Sequence, residues 1–165
     1  MSPALLHFFE WLNGTPLAEA IRLSTWWYPI LEAVHSLGVI VVLGSIWMLD
    51  LRLLGVGMRS RRVSEIAGRL LPWTWSGFGV QALSGSLLLV SEATRLYSIP
   101  YFWIKLVLLA LAAVNALVFH LGVYRGVGGW DEAPATPFAA KVAGAVSLTL
   151  WVGVVAAGRA IGYVT

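Results

Sequence analysis

Four long runs of apolar residues dominate the chain, at about Tyr28–Leu49, Pro72–Val90, Tyr101–Val123 and Phe138–Val164. Each approaches the ~20 residues that an α-helix needs to cross a ~30 Å hydrocarbon core. Polar residues are scarce inside the runs and gather in the short connections, so the pattern predicts four transmembrane helices. Prolines punctuate it. Pro29, Pro72, Pro100 and Pro137 fall at or just before the four starts, and none is expected mid-span. Proline suits the first helical turn, where its missing N–H would have no partner anyway.

The segment 1–27 reads differently. Ser2-Pro3 and Thr15-Pro16 each offer an N-cap followed by proline, and Asn13-Gly14 breaks the pair, which predicts two short helices lying along the membrane surface. Leu5, Phe8, Phe9 and Leu12 share an apolar face, with Glu10 on another side. The segment lacks a basic leader and a small-residue cleavage pattern, so it does not read as a signal peptide. The chain thus divides into an interfacial amphipathic segment, 1–27, and a four-helix transmembrane domain, 28–165.

Composition agrees with this reading. The hydrophobic fraction is 59% and the charged fraction 12% of 165 residues, against about 45–50% and 25% for soluble domains. The chain has no cysteine, which removes disulfides, thiolate metal sites and cysteine nucleophiles. Its basic residues form no stripe with interleaved aromatics, so nucleic acid is not an expected partner.

The charges orient the spans. Arg52, Arg59, Arg61, Arg62 and Arg69 crowd the first connection, Arg125 and Lys141 flank the third, and the second offers mainly Arg95. The positive-inside rule makes the first and third connections cytoplasmic and places both termini outside. Trp26, Trp27 and Trp103 then mark the outer interface, Trp73 and Trp75 the inner one. The fold class is an all-α integral membrane four-helix bundle of the bacterial cytoplasmic membrane.

Ionisable side chains within a span cost about 2.5–3.5 kcal/mol near the centre on insertion scales, so those present need partners, water or a role. Glu32, His35, Glu92, Arg95, Lys105 and Arg159 all fall in the outer half and are placed to converge on one pocket. Glu32 and His35 are three residues apart and share a helix face. Toward the inner side lie His120, read as interfacial, and Asp50 and Arg52, read as solvated at the aqueous edge. His35 is the candidate metal ligand: histidine is a common axial ligand of haem, and Gly38, one turn on, offers a flat macrocycle close approach.

Depth restricts the ligand scheme. At ~1.5 Å per residue, His35 and His120 differ in depth by about 16 Å, too far to share one iron in a protomer. A bis-histidine site requires His7 folding over the outer surface, or another subunit; otherwise the site is five-coordinate or a residue such as Lys105 lies close to it. Lys105 and Arg159 are placed to pair with haem propionates.

The stretch Trp26-Trp27-Tyr28-Pro29 through Glu32, His35, Gly38 and Gly44 to Asp50-Leu51-Arg52-Leu53-Leu54-Gly55 resembles a group of uncharacterised four-span bacterial membrane proteins. Leu71-Pro72-Trp73, Phe102–Lys105 with Asn115, and Ala157-Gly158-Arg159 fit the same group. The histidine on the first span and the lysine opening the third are also distantly similar to two other families, the four-span protoporphyrinogen oxidase and the copper-resistance D-type membrane domain. The first resemblance implies haem and a histidine–lysine pair, at His35 and Lys105. The further histidine of that family is replaced here by Asn115. The second implies copper traffic, for which the chain offers no methionine or histidine cluster.

The function expected from these residues is a b-type haem site in electron transfer or a redox reaction, with quinone, a redox partner or a second copy of the chain as candidate partners within the lipid bilayer. The candidate cofactor-binding residues are His35, Lys105, Arg159, Glu32, Glu92 and His7. The alternatives are a non-catalytic membrane subunit anchoring a larger complex and, behind it, a proton-coupled transporter, whose broken helices are not visible in the sequence.

Overall fold

The computed structural model describes residues 3–133 and 135–164, and among these it is helical with no strand. Seven α-helices follow in order: α1 Pro3–Asn13, α2 Pro16–Leu23, α3 Trp27–Leu54, α4 Val63–Ser91, α5 Ala93–Ser98, α6 Pro100–Leu121 and α7 Phe138–Ile161, with a 3-10 segment, Val123–Gly129, after α6. Three stretches are long and apolar enough to cross a membrane: Trp27–Leu54, Pro100–Gly129 and Phe138–Ile161. Their outward side chains support that environment. Leu106, Val107, Leu111, Val114, Leu117 and Val118 of α6 all face outward and exposed, a stripe that water would not stabilise but hydrocarbon does.

The helix starts follow the proline punctuation at three of four places. Pro29 lies in the first turn of α3, Pro100 opens α6 and Pro137 caps α7. Pro72 does not open a helix. It lies inside α4, which begins at Val63, so the expectation that no proline falls within a long helix is corrected. The helix continues because Val63, Ile66 and Ala67 are buried before the proline, and that packing outweighs one missing backbone bond.

The long helices form two antiparallel pairs. α4 packs along α3, α6 along α7, and α3 against α7 joins the pairs. Among the described residues α4 and α6 make no extended contact, so one seam of the bundle is looser than the others. Close approach is bought by glycine at the tight crossings. A Cβ on Gly77 would stand 2.7 Å from Val42 Cγ2, and one on Gly144 would stand 3.2 Å from the Asp50 carbonyl oxygen.

The two ends differ. At the basic end, Arg52 reaches across both connections, donating through Nε to Arg61 O at 2.8 Å and through Nη1 to Thr136 Oγ1 at 3.3 Å. Arg62 pairs with Glu132, and Asp131 accepts from Ser64. At the opposite end, α1, α2 and α5 cover the bundle. Thr15 caps α2 as its spacing predicts, accepting from Ala18 N at 3.3 Å; Ser2 lies outside the described residues. The short helices are more than a surface layer, since Phe9, Ala18 and Ile21 are buried. Phe9 packs on Tyr97 and Trp103 at ring distances of 5.3 and 5.9 Å. Leu5, Phe8 and Trp11 remain exposed.

Candidate functional site

His35 sits half-buried on α3 against α4, where Gly85 admits it: a Cβ there would lie 3.0 Å from His35 Cε1. Its Nδ1 is 2.9 Å from Ser84 Oγ. The Ser84 hydroxyl has a single hydrogen and lies 2.6 Å from Val80 O, to which it donates. Ser84 therefore accepts from the imidazole, which fixes the proton on Nδ1 and leaves the Nε2 lone pair available. Ligating histidines are commonly held in this way, by a hydrogen bond from the ring nitrogen that does not bind the metal. Glu32, three residues before His35 on α3, is exposed and makes no bond to the ring. The hydroxyl across the tight α3–α4 contact takes that place.

Lys105 of α6 lies close enough to act electrostatically on His35. Its Nζ would stand 3.5 Å from a Cβ on Gly158 of α7, so a glycine again makes room for a cationic side chain. His35 thus packs toward α4 and Lys105 toward α7, on two helices that make no extended contact with each other among the described residues.

The remaining outer residues do not converge with them. Glu32, Glu92 and Arg95 surround the Tyr28 hydroxyl electrostatically, with Arg95 Nη1 at 3.4 Å from Glu92 Oε2. Arg95 also donates to Ile161 O and Val164 O at 3.4 and 3.3 Å, closing the end of α7. Arg159 turns outward to Tyr163, donating to its hydroxyl at 2.9 Å with the guanidinium 4.9 Å from the ring centre. His7 is 80% exposed and pairs with Glu10 at 3.2 Å on the face of α1 away from Phe9. The expectation of one pocket holding all these groups is therefore corrected to a His35–Lys105 centre and a separate cluster at the end of the bundle. The short α1 cannot present His7 inward while burying Phe9.

Gly38 is likewise reassigned. A Cβ there would meet Gln81 Nε2 at 2.8 Å, and that amide donates to the His35 carbonyl. The glycine makes room for a glutamine tying α4 to α3, and leaves no open face for a macrocycle. His120 is half-buried, with Nδ1 at 2.8 Å from Ala116 O and its ring 5.3 Å from Tyr124. Among the described residues no group of three or more histidine, cysteine or acidic side chains gathers as a metal site would.

Two residues read as solvated are buried instead. Asp50 is 5% and Arg52 7% exposed. α7 covers the first through Gly144, and the two connections cover the second. The small-residue spacing of Gly144 and Ser147 was the available signal that α7 comes this close.

Over residues 8–164 the chain matches a family of unknown function, DUF6644. The chain belongs to that family. No curated protein and no solved structure matches it. The family carries no assigned activity, so a functional reading of this DUF6644 chain rests on its own side chains.

Proposed function

We propose that this protein is a four-span membrane protein that binds b-type haem through His35 and takes part in electron transfer or a redox reaction. The observation that carries the reading is the Ser84–His35 bond, which leaves a neutral imidazole with a free Nε2 inside an apolar bundle. The donor chemistry fits one axial bond. The space expected at Gly38 does not fit, being filled by Gln81, so a macrocycle would have to be held on another side of His35. Bound haem supplies one-electron chemistry at its iron. The chain's part is to orient His35 through Ser84, to place the Lys105 cation where a propionate can pair with it, and to exclude water with the surrounding apolar helices.

The four-span reading takes α4 as the remaining span. It has 29 residues against 28 in α3, along which it packs, and its Pro72–Val90 stretch is apolar. The connections bearing most of the arginines lie together at one end, which the positive-inside rule assigns to the cytoplasm, in a bacterial inner membrane with both termini outside. Quinone and a redox partner are the partners this reading implies.

A second reading is favoured by the same bonds. His35, Ser84 and Gln81 clasp α3 to α4, as a purely structural subunit would need. Ultraviolet–visible spectra of gently purified protein, oxidised and reduced, separate the two. A Soret band with sharp reduced α and β bands, lost in His35→Ala but kept in His120→Ala, is the expected result. Colourless protein that takes up no added haemin would overturn the haem reading in favour of the clasp.

A further inference from the structure

The basic end of the bundle holds a second polar site, remote from His35 and independent of the haem reading. Asp50 lies where α3 and α7 touch backbone to backbone: a Cβ on Gly144 would stand 3.2 Å from its carbonyl oxygen and 3.6 Å from its Cα. The Ser147 hydroxyl, buried nearly one turn beyond Gly144 on α7, lies beside the Asp50 carboxyl. The other carboxyl oxygen, Oδ2, is buried with no partner, and so is the indole Nε1 of Trp47. Trp47 and Asp50 are three residues apart on α3, on one face of the helix. On the neighbouring turn of α7, Asn115 of α6 donates to Ala143 O at 3.0 Å.

An ionised carboxylate so placed requires a cation or several donors, and the charged groups on the packed elements are committed elsewhere. Arg52, two residues on, bonds Arg61 O and Thr136. On α4, Arg69 pairs with Glu65 at 3.0 Å. Lys141, on the turn of α7 before Gly144, forms no ion pair with Asp50 among the described residues, and Asn115 is uncharged. A metal cation fits poorly, because the site offers one carboxylate and one hydroxyl, too few oxygen ligands for a hard cation. A proton fits. The neutral acid can share its O–H with the Ser147 hydroxyl and keeps a carbonyl oxygen that one water can bridge to the indole N–H, the two having no direct bond.

We propose that Asp50, Ser147 and Trp47 form a buried proton-binding site at the crossing of α3 and α7, with the aspartate held as the neutral acid in the folded protein. Loss of that proton leaves a carboxylate facing only the serine hydroxyl and the indole N–H, so uptake and release are coupled to how closely α3 and α7 pack.

The chain has two aspartates, Asp50 and Asp131, which makes a direct test practical. Protein labelled with carbon-13 at the aspartate side-chain carboxyl gives two resonances by nuclear magnetic resonance, and Asp131→Asn assigns them by subtraction. The expected result is an Asp50 resonance at the neutral-acid position at neutral pH, while Asp131 sits at the carboxylate position. Trp47→Phe and Ser147→Ala should each move the Asp50 resonance and its titration, leaving Asp131 unmoved. An Asp50 resonance at the carboxylate position at neutral pH would overturn the proposal. So would an Asp50 signal indifferent to both variants, which would detach the acid from this site.

Discussion

Ser64, in the first turn of α4, donates twice to Asp131 of the distant α6–α7 connection: its backbone N–H to Oδ1 at 3.0 Å, and its hydroxyl to Oδ2. The aspartate does from afar what an N-cap does locally, since Arg62 at the cap position makes no side-chain capping bond. Burial alone would raise the Asp131 carboxyl. The Ser64 hydroxyl, the backbone N–H groups of Ser64 and Val63 and the Arg62 guanidinium together outweigh it and hold the carboxyl below its usual range. A group depressed in the folded state stabilises fully above its unfolded value and loses that contribution as pH falls through the folded value. Asp131→Ala should therefore lower stability by about 1 kcal/mol at neutral pH, the usual size of a lost cap, and by less in acid. Melting curves of detergent-solubilised protein check this; an equal gap at both pH values would show that the charge contributes nothing.

The His35–Ser84 bond makes a prediction that needs no cofactor. Ser84→Ala leaves the Nδ1 proton without its acceptor, at a cost of about 1–3 kcal/mol. In the background of His35→Ala the same change should cost less, because nothing is then left unpaired. A double-mutant cycle by denaturant or thermal melting should give an interaction energy of at least about 0.5 kcal/mol. Strict additivity would mean that the two side chains do not recognise one another.

Glycines separate into tight and open positions. Gly144→Ala drives a methyl toward the Asp50 backbone and should destabilise by about 1–3 kcal/mol, as overpacking does. Gly79, also helical, would place its Cβ with no neighbour inside 4 Å. Gly79→Ala should be neutral or stabilising by up to about 1 kcal/mol through helix propensity. Equal effects of the two substitutions would contradict the α3–α7 contact.

Reporter fusions test the proposed topology. Fusions after Arg62 and Arg125 are expected to report cytoplasm, and fusions at Arg95 and Thr165 the outer side. A C-terminal reporter active in the cytoplasm would refute the four-span arrangement with both termini out.

Much of the helical layout was legible in the chain, because hydropathy and proline placement carry local information. Pro100 and Pro137 mark the starts of α6 and α7, and Asn13-Gly14 marks the break after α1. Pro72 misled for a physical reason: the turns before it carry Arg69 and Glu65 and look like a connection, yet Ile66 and Ala67 are buried by tertiary neighbours. The site was legible as an inventory. His35 and Lys105 lie close enough to act on one another electrostatically, but hydropathy reports depth along a helix and not direction around it. That missing direction separated Arg159, Glu32 and His7 from His35. It also hid Asp50 and Arg52, whose depth suggested water while their covering came from α7 and from both connections.

The docking of Phe9 sets an order of assembly. Its binding surface is made by Tyr97, Phe102 and Trp103, which leave the ribosome on the order of seconds after α1 at usual synthesis rates. In that interval the aromatic face of α1 lacks the surface on which it finally packs. A segment translated before Tyr97, Phe102 and Trp103 thus reaches its final place only after them, closing over a surface made later than itself.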